Sequence, residues 1–268
     1  MVFCLISNAQ IVINEIDSDT PSIDDKEFVE LKSDVPNFPL DGYVLVFFNG
    51  NPSSSTANRS YYTLDLDGLS TDINGLILIG SKLVSPVPER IFGDNLIENG
   101  ADAIAIYTGN FEDFPDGTLA ISTNLIDAVG YDTSDADATE LMELLGITVQ
   151  YNEDENGQGA TQSIQRKADG TFETKAPTPG VHNDGSGYIF NGVTISGPAL
   201  QYNEGDNFNI TFTTQTPVAS DLIFNFMLNN GSFNASDFTG TTTVLIPTGS
   251  TTFTTNIPPY KNTENIKY

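Results

Sequence analysis

The loop between residues 17 and 25 carries the densest group of possible metal ligands in the chain. Four carboxylates lie close together in it, interleaved with hydroxyl side chains: Asp17, Asp19, Asp24 and Asp25. Carboxylate oxygens are ligands that Ca²⁺ takes, but the loop lacks the glycine that an EF-hand places at its sharp turn. The simpler interpretation is a solvated acidic loop. A second acidic loop, residues 153–155, joins the first only if the fold brings them together.

The residues needed for nucleophilic or zinc chemistry are scarce. His182 is the only histidine, and Cys4 is the only cysteine. A serine triad needs a histidine placed between an acid and an activated serine, and no G-x-S-x-G motif is present. Zinc sites are built mainly from several histidines and cysteines. We therefore interpret His182 as a polar turn residue in a linker and predict no catalytic activity.

The chain holds 36 acidic residues, so their number alone is sufficient for the paired carboxylates of glycoside hydrolysis. Tryptophan, a common sugar-stacking side chain, is absent. For most of these acidic residues, a solvated position in a loop is a better explanation than a catalytic pair. Glu30, within an apolar strand, is expected to accept hydrogen bonds from backbone rather than to take part in chemistry.

The net charge of −26 disfavours some classes of partner. Such a field repels nucleic acid and anionic lipid surfaces, so neither is expected to bind directly. No apolar run is long enough to span a bilayer, so we expect no transmembrane segment.

The charge is uneven: residues 1–185 hold 31 acids and 8 bases, whereas residues 186–268 hold 5 acids and 2 bases. This shift predicts a domain boundary near residue 185, and first proteolytic cuts between Pro177 and Gly192.

The strands that position the acidic loop are residues 11–16 and 27–32. In the second of them, Val29 and Leu31 point to one face and Phe28 and Glu30 to the other. The continuous apolar run at 43–50 predicts a strand covered on both faces. The alternating run at 101–109 predicts a half-buried strand. Further strands are expected at 61–68, 75–81, 125–133 and 163–167, the last of these closing the first domain, with a short strand at most at 90–92.

One segment, residues 138–145, has helical spacing of leucines. Asp137 is the expected N-cap and Gly146 the expected stop. We expect its apolar stripe to pack on the first domain. Residues 193–257 then show short strands at regular spacing, broken by Gly, Pro and Asn, which indicates a second sandwich. The predicted fold class is all-β, with two β-sandwiches in tandem and one short helix in the first.

The predicted domains are 10–185 and 186–268, with the second incomplete at its C-terminus. Residues 1–9 are interpreted as the remnant of a signal peptide, because a short apolar run ends in small residues there. That interpretation predicts a secreted or cell-surface protein.

Several separated motifs of the first domain resemble the bacterial, secreted lamin-tail domain over about residues 11–185. They are INEID at 13–17, EFVEL at 27–31, SIQR at 163–166, Asp169-Gly170, Phe172, PTPG at 177–180 and Asn183. The resemblance implies an immunoglobulin-like β-sandwich, for which a catalytic role is rarely assigned.

The second domain resembles a truncated Calx-β domain over about residues 193–257. The matching pieces are Glu204-Gly205-Asp206, residues 231–238 and residues 246–249. This resemblance implies that Glu204 and Asp237 are calcium ligands. The family's later acidic ligands have no counterpart before Tyr268, so we expect weak Ca²⁺ binding, on the order of millimolar.

These observations predict a non-catalytic, secreted or cell-surface protein for adhesion or scaffolding, with an unidentified protein or surface as partner. The alternative is an accessory N-terminal region of a larger secreted hydrolase of nuclease or phosphatase type.

Overall fold

The computed structural model describes residues 11–187, 191–197, 207–226 and 242–258. The chain divides into two compact units, Met1–Ile189 and Phe190–Tyr268. The predicted signal-peptide remnant at 1–9, with Cys4, lies outside the described residues, as do Glu204 and Asp237. The described chain is mostly β-structure with one α-helix, which confirms the predicted all-β class. No helix in these described ranges is long and apolar enough to cross a membrane.

The described residues of the first unit, 11–187, form eleven strands and one α-helix. The elements are β1 (Val12–Asp17), β2 (Phe28–Lys32), β3 (Tyr43–Asn49), β4 (Arg59–Asp65), β5 (Leu76–Gly80), β6 (Arg90–Ile91), β7 (Asp102–Thr108), β8 (Leu125–Asp132), α1 (Thr139–Leu145), β9 (Gln150–Asn152), β10 (Ser163–Arg166) and β11 (Phe172–Lys175). They form a six-stranded sheet in the order β11-β10-β1-β2-β5-β6 and a five-stranded sheet in the order β4-β3-β7-β8-β9.

The main core lies between these two sheets. Ile16, Val29 and Ile79 from the six-stranded sheet meet Phe47 and Ile104 from the five-stranded sheet in one buried cluster. Alternation along most strands sends every second side chain into this core, which is the pattern of a sandwich. In β1 a register shift between Ile13 and Glu15 places Ile13 and Ile16, three residues apart, in the same core. Val29 and Leu31 share one face, as predicted, and that face points into the main core, while Phe28 packs on the opposite face.

The outer face of β3 and β7 is also buried, beneath α1 and residues 111–121. Leu141, Leu145 and Phe114 share one buried cluster there with Phe48 and Tyr107. The rings of Tyr107 and Phe114 lie 4.5 Å apart. The prediction that residues 43–50 are covered on both faces is therefore confirmed. The prediction of a half-buried strand at 101–109 is wrong, since both faces of β7 are buried.

Small residues allow the helix to approach the sheet closely. A Cβ on Gly50 would lie 2.5 Å from Ala138 Cβ and 2.1 Å from the carbonyl oxygen of Ala101. The helix ends at Gly146, which adopts the left-handed conformation as predicted. The predicted cap is wrong, because the N-cap is Ala138 and no side chain caps the helix.

Two strands of the first unit were not predicted, β9 and β11. β11 follows the Asp169-Gly170 turn and pairs antiparallel with β10. The prediction that the strand at 163–167 closes the first domain is therefore wrong. Each has only three or four residues, which is too short for a clear periodic pattern.

The second unit is described through five strands: β12 (Val193–Ser196), β13 (Phe208–Thr214), β14 (Leu222–Asn225), β15 (Thr243–Ile246) and β16 (Thr252–Ile257). They form a three-stranded sheet, β12-β13-β16, and a two-stranded sheet, β14-β15. Phe212, Val244 and Ile246 are buried in a core shared by the two sheets. The rings of Phe212 and Phe224 lie 5.5 Å apart across it.

Candidate functional site

Two buried glutamates on neighbouring strands form the first cluster of chemical interest. Glu15 of β1 and Glu30 of β2 are cross-strand partners, and neither is exposed. Ile16 and Val29 point into the main core, so the glutamates lie on the opposite face of the sheet. We call Glu15 and Glu30 the glutamate pair.

Neutral donors surround the carboxylate of Glu15. Its Oε1 accepts hydrogen bonds from Ser163 Oγ (2.6 Å), Gln165 Nε2 (3.1 Å) and the Thr178 backbone N–H (2.8 Å). Its Oε2 accepts from Thr178 Oγ1 at 2.8 Å. Burial raises the pKa of Glu15 above its usual value, although these donors act in the other direction.

Glu30 binds the same part of the chain, two residues after Thr178. Its Oε2 accepts from the Gly180 backbone N–H at 2.7 Å, and its Oε1 accepts from Asn14 Nδ2 at 2.8 Å. Burial, with the nearby charge of Glu15, raises the pKa of Glu30 well above its usual value. The prediction that Glu30 accepts hydrogen bonds from backbone is confirmed, but the donor lies 150 residues away in the sequence.

Residues 176–183 contain Thr178 and Gly180, which donate hydrogen bonds to the glutamate pair. We call these residues the clasp segment. Asn183 closes the segment, since its Nδ2 donates to the carbonyl oxygens of Asn14 (3.0 Å) and Arg166 (2.9 Å). Lys175 Nζ donates to the Asn183 carbonyl oxygen at 2.6 Å. The segment therefore belongs to the folded first unit, and interpreting it as a linker is wrong.

His182 lies at the end of the clasp segment. Its backbone N–H donates to Ser186 O at 3.3 Å, and its carbonyl accepts from Gly185 N–H at 2.7 Å, which confirms a turn position. Its Nδ1 is buried with no hydrogen-bond partner among the described residues. No described serine hydroxyl donates to this histidine, so nothing described completes a triad around it.

The second cluster is the acidic junction, which we define as Asp17, Asp19, Asp24, Glu27, Glu153 and Asp154. Glu153 follows β9 and inserts its carboxylate into the turn after β1. There it accepts hydrogen bonds from the backbone N–H groups of Ser18 and Asp19, each at 3.2 Å, and from Ser18 Oγ. The two acidic loops therefore do meet, which the sequence left open.

Three carboxyl groups of the acidic junction are buried. Burial, with the charge of Glu153 next in importance, raises the pKa of Asp17 to about 10. Burial likewise raises the pKa of Glu27 and that of Glu153 to about 8 each. The interpretation as a solvated loop fits residues 21–23, which are exposed, but it is wrong for Asp17.

Two carboxylate oxygens in this junction are buried without a hydrogen-bond partner: Asp17 Oδ1 and Glu27 Oε1. The other oxygen of Glu27 accepts from the Leu96 N–H at 2.7 Å. Among the described residues, no three acidic, histidine or cysteine side chains already surround a common point suitable for a metal ion.

Sequence reasoning identified the INEID, EFVEL and PTPG motifs, but it did not reveal that hydrogen bonds connect their residues in one network. A detectable signal was present, because Glu15 and Glu30 interrupt strands that are otherwise largely apolar. Comparisons with protein-family models, curated proteins and solved structures give no match for this chain.

Proposed function

We propose that this chain is a non-catalytic, secreted or cell-surface protein whose β-sandwich units serve binding or scaffolding. The observation that carries the proposal is the bonding of the glutamate pair. Buried carboxylates with raised pKa values are candidates for acid–base catalysis. Here, however, both glutamates are fully buried, and their oxygens accept bonds from the clasp segment and its neighbours. Their role is to hold distant parts of the first unit together.

The motif residues behind the lamin-tail resemblance support the same proposal. Asn14 and Glu15 come from INEID, Glu30 from EFVEL, and Thr178 and Gly180 from PTPG, and hydrogen bonds connect them around the glutamate pair. Because these motif residues stabilise the sandwich, recognition is left to the loops and the strand edges. The strongly negative charge suits a soluble display module that does not bind nucleic acid.

The proposal is tested by assaying the full chain with nuclease, phosphatase, esterase and glycosidase substrates over a range of pH. We expect no turnover above the blank, and we expect Glu15→Gln to change the melting temperature alone. Turnover that disappears in folded Glu15→Gln or Glu30→Gln protein would show that the glutamate pair is catalytic.

A second measurement addresses the structural role directly. Hydrogen exchange followed by mass spectrometry reports opening of individual segments. We expect the N–H groups of Thr178 and Gly180 to exchange slowly in the wild type and quickly in Glu15→Gln or Glu30→Gln. Equal exchange in wild type and variants would remove the support for a structural role of the glutamate pair.

A further inference from the structure

The inference starts from one buried oxygen, Asp17 Oδ1. Asp17 is only 7% exposed, and this oxygen has no hydrogen-bond donor. A buried carboxylate oxygen without a partner is costly, and such groups in native proteins generally have a water, an ion or a proton as partner.

The strongest charges that act on Asp17 are all negative. In order of decreasing strength, Glu153, Glu15, Asp19 and Glu27 each disfavour the ionised form of Asp17. Ion pairs among the described residues join Lys82 to Asp94, Arg166 to Asp127 and Lys175 to Glu173, and none of them reaches the acidic junction. The junction therefore concentrates negative charge without a compensating basic side chain from the described residues.

We propose that the acidic junction binds a divalent cation, Ca²⁺ in the first place, between the turn at residues 17–19 and the turn at 153–154. The carboxylates of Asp17, Asp19 and Glu153 supply the protein ligands. Backbone carbonyls and waters complete the six to eight oxygens that Ca²⁺ takes. This site is separate from the one that sequence resemblance places at Glu204 and Asp237.

The geometry identifies which ligand must move. Glu153 is held in place by the Ser18 and Asp19 N–H groups, and Asp17 is fixed at the end of β1. Asp19 is half-buried, and its Oδ2 lies beside Gly159, where an added Cβ would be 3.1 Å away. Cation binding at this site therefore requires the Asp19 side chain to turn away from Gly159 towards Asp17 and Glu153. Because this rearrangement reduces affinity, we expect a dissociation constant of about 10⁻⁴–10⁻³ M, the range of extracellular Ca²⁺ modules.

The test is calorimetric titration of CaCl₂ into the full chain, with thermal melting in the presence and absence of CaCl₂ at neutral pH. We expect heat from binding and a melting temperature that rises with CaCl₂, as for any ligand of the folded state. Asp17→Asn is expected to weaken binding at least tenfold. Asp19→Asn serves as a second variant, because this half-buried residue is replaced without disturbing β1.

Two control variants separate this site from other acids. Asp25→Asn removes a carboxylate of the same loop that makes no side-chain hydrogen bond in the described structure, and it should bind Ca²⁺ like the wild type. Asp237→Asn removes the site implied for the second unit and should leave the binding at the acidic junction unchanged.

Three outcomes would overturn the proposal. The first is wild-type affinity in both Asp17→Asn and Asp19→Asn. The second is loss of all binding in Asp237→Asn. The third is an absence of heat and of any melting shift in the wild type, together with a higher melting temperature for Asp17→Asn, which would show that a proton is the partner of Asp17.

Discussion

Glu15 and Glu30 stand directly opposite each other on β1 and β2, fully buried and on the same face of the sheet. Two like charges at such a cross-strand position normally destabilise a sheet. In this protein neutral donors from β10 and the clasp segment face both carboxylates. The glutamate pair is therefore the point at which the clasp segment is fixed to the first unit.

The hydroxyl of Thr178 is expected to contribute to this fixation. Thr178→Val removes the donor to Glu15 Oε2 and leaves a buried carboxylate oxygen unsatisfied, which should lower the free energy of unfolding by about 1–3 kcal/mol. Chemical denaturation followed by circular dichroism measures the change.

Thr171→Val is the matched control for Thr178→Val. Its hydroxyl also donates to a carboxylate, that of Asp169, but at an exposed position. An exposed substitution of this kind should change stability by less than about 0.5 kcal/mol. Equal effects at Thr178 and Thr171 would contradict the role assigned to the glutamate pair.

The raised pKa of Glu30 predicts how its contribution to stability depends on pH. The folded state retains a proton that the unfolded chain releases near its usual value of 4.5. Stability from this group is therefore lost as pH rises from that value towards the raised pKa, by at most about 1.4 kcal/mol per pH unit. Asp72 and Glu15 add negative charge that acts in the same direction.

Glu30→Gln removes this dependence and is compared with the wild type at about pH 5 and about pH 8. Glutamine keeps an acceptor for the Gly180 N–H but places a donor towards Asn14 Nδ2. The variant should therefore be destabilised at the lower pH, and that deficit should shrink or reverse at the higher pH. A deficit that grows with pH would show that the folded-state pKa of Glu30 is lowered.

The ion pair between Arg166 and Asp127 predicts a large effect of substitution. Arg166 also donates through Nε to Ile13 O at 2.7 Å, and its guanidinium lies 4.5 Å from the centre of the Phe172 ring. Arg166→Met leaves Asp127 without its cation, and both side chains are only 17% exposed. We expect a loss of about 3 kcal/mol in the free energy of unfolding.

The control for Arg166→Met is Lys82→Met, which breaks an exposed ion pair with Asp94. Exposed pairs contribute about 0–1 kcal/mol, so this change should be close to neutral. Similar losses in the two variants would mean that burial does not distinguish the two pairs.

Limited proteolysis tests where the first unit ends. The sequence places first cuts between Pro177 and Gly192, but hydrogen bonds from Thr178, Gly180 and Asn183 hold the first part of that interval. Residues 184–187 are exposed, so an unspecific protease should cut at or after Asp184. Mass spectrometry of the first fragments identifies the site, and early cuts at 177–182 would show that the clasp segment opens readily.

Local pattern in the sequence was enough for most strands and for the helix. Alternation in EFVELK correctly placed Val29 and Leu31 on one face, because side chains of a strand alternate between faces regardless of what covers them. Gly146 marked the helix end, because a left-handed residue suits glycine. Asp137 was misassigned as a cap, because capping depends on local geometry that composition does not reveal.

Only the tertiary structure decided what covers each face and which polar groups meet. β7 is buried on both faces because α1 and residues 111–121 cover its outer side, which no alternation within β7 can reveal. Glu153 meets Ser18 across 135 residues, and Gly180 meets Glu30 across 150. Such contacts depend on strand order and sheet packing, which arise from many long-range interactions acting together. The sequence therefore specified the strands and their charged residues, and the packing of the sheets determined which of those charges became buried partners.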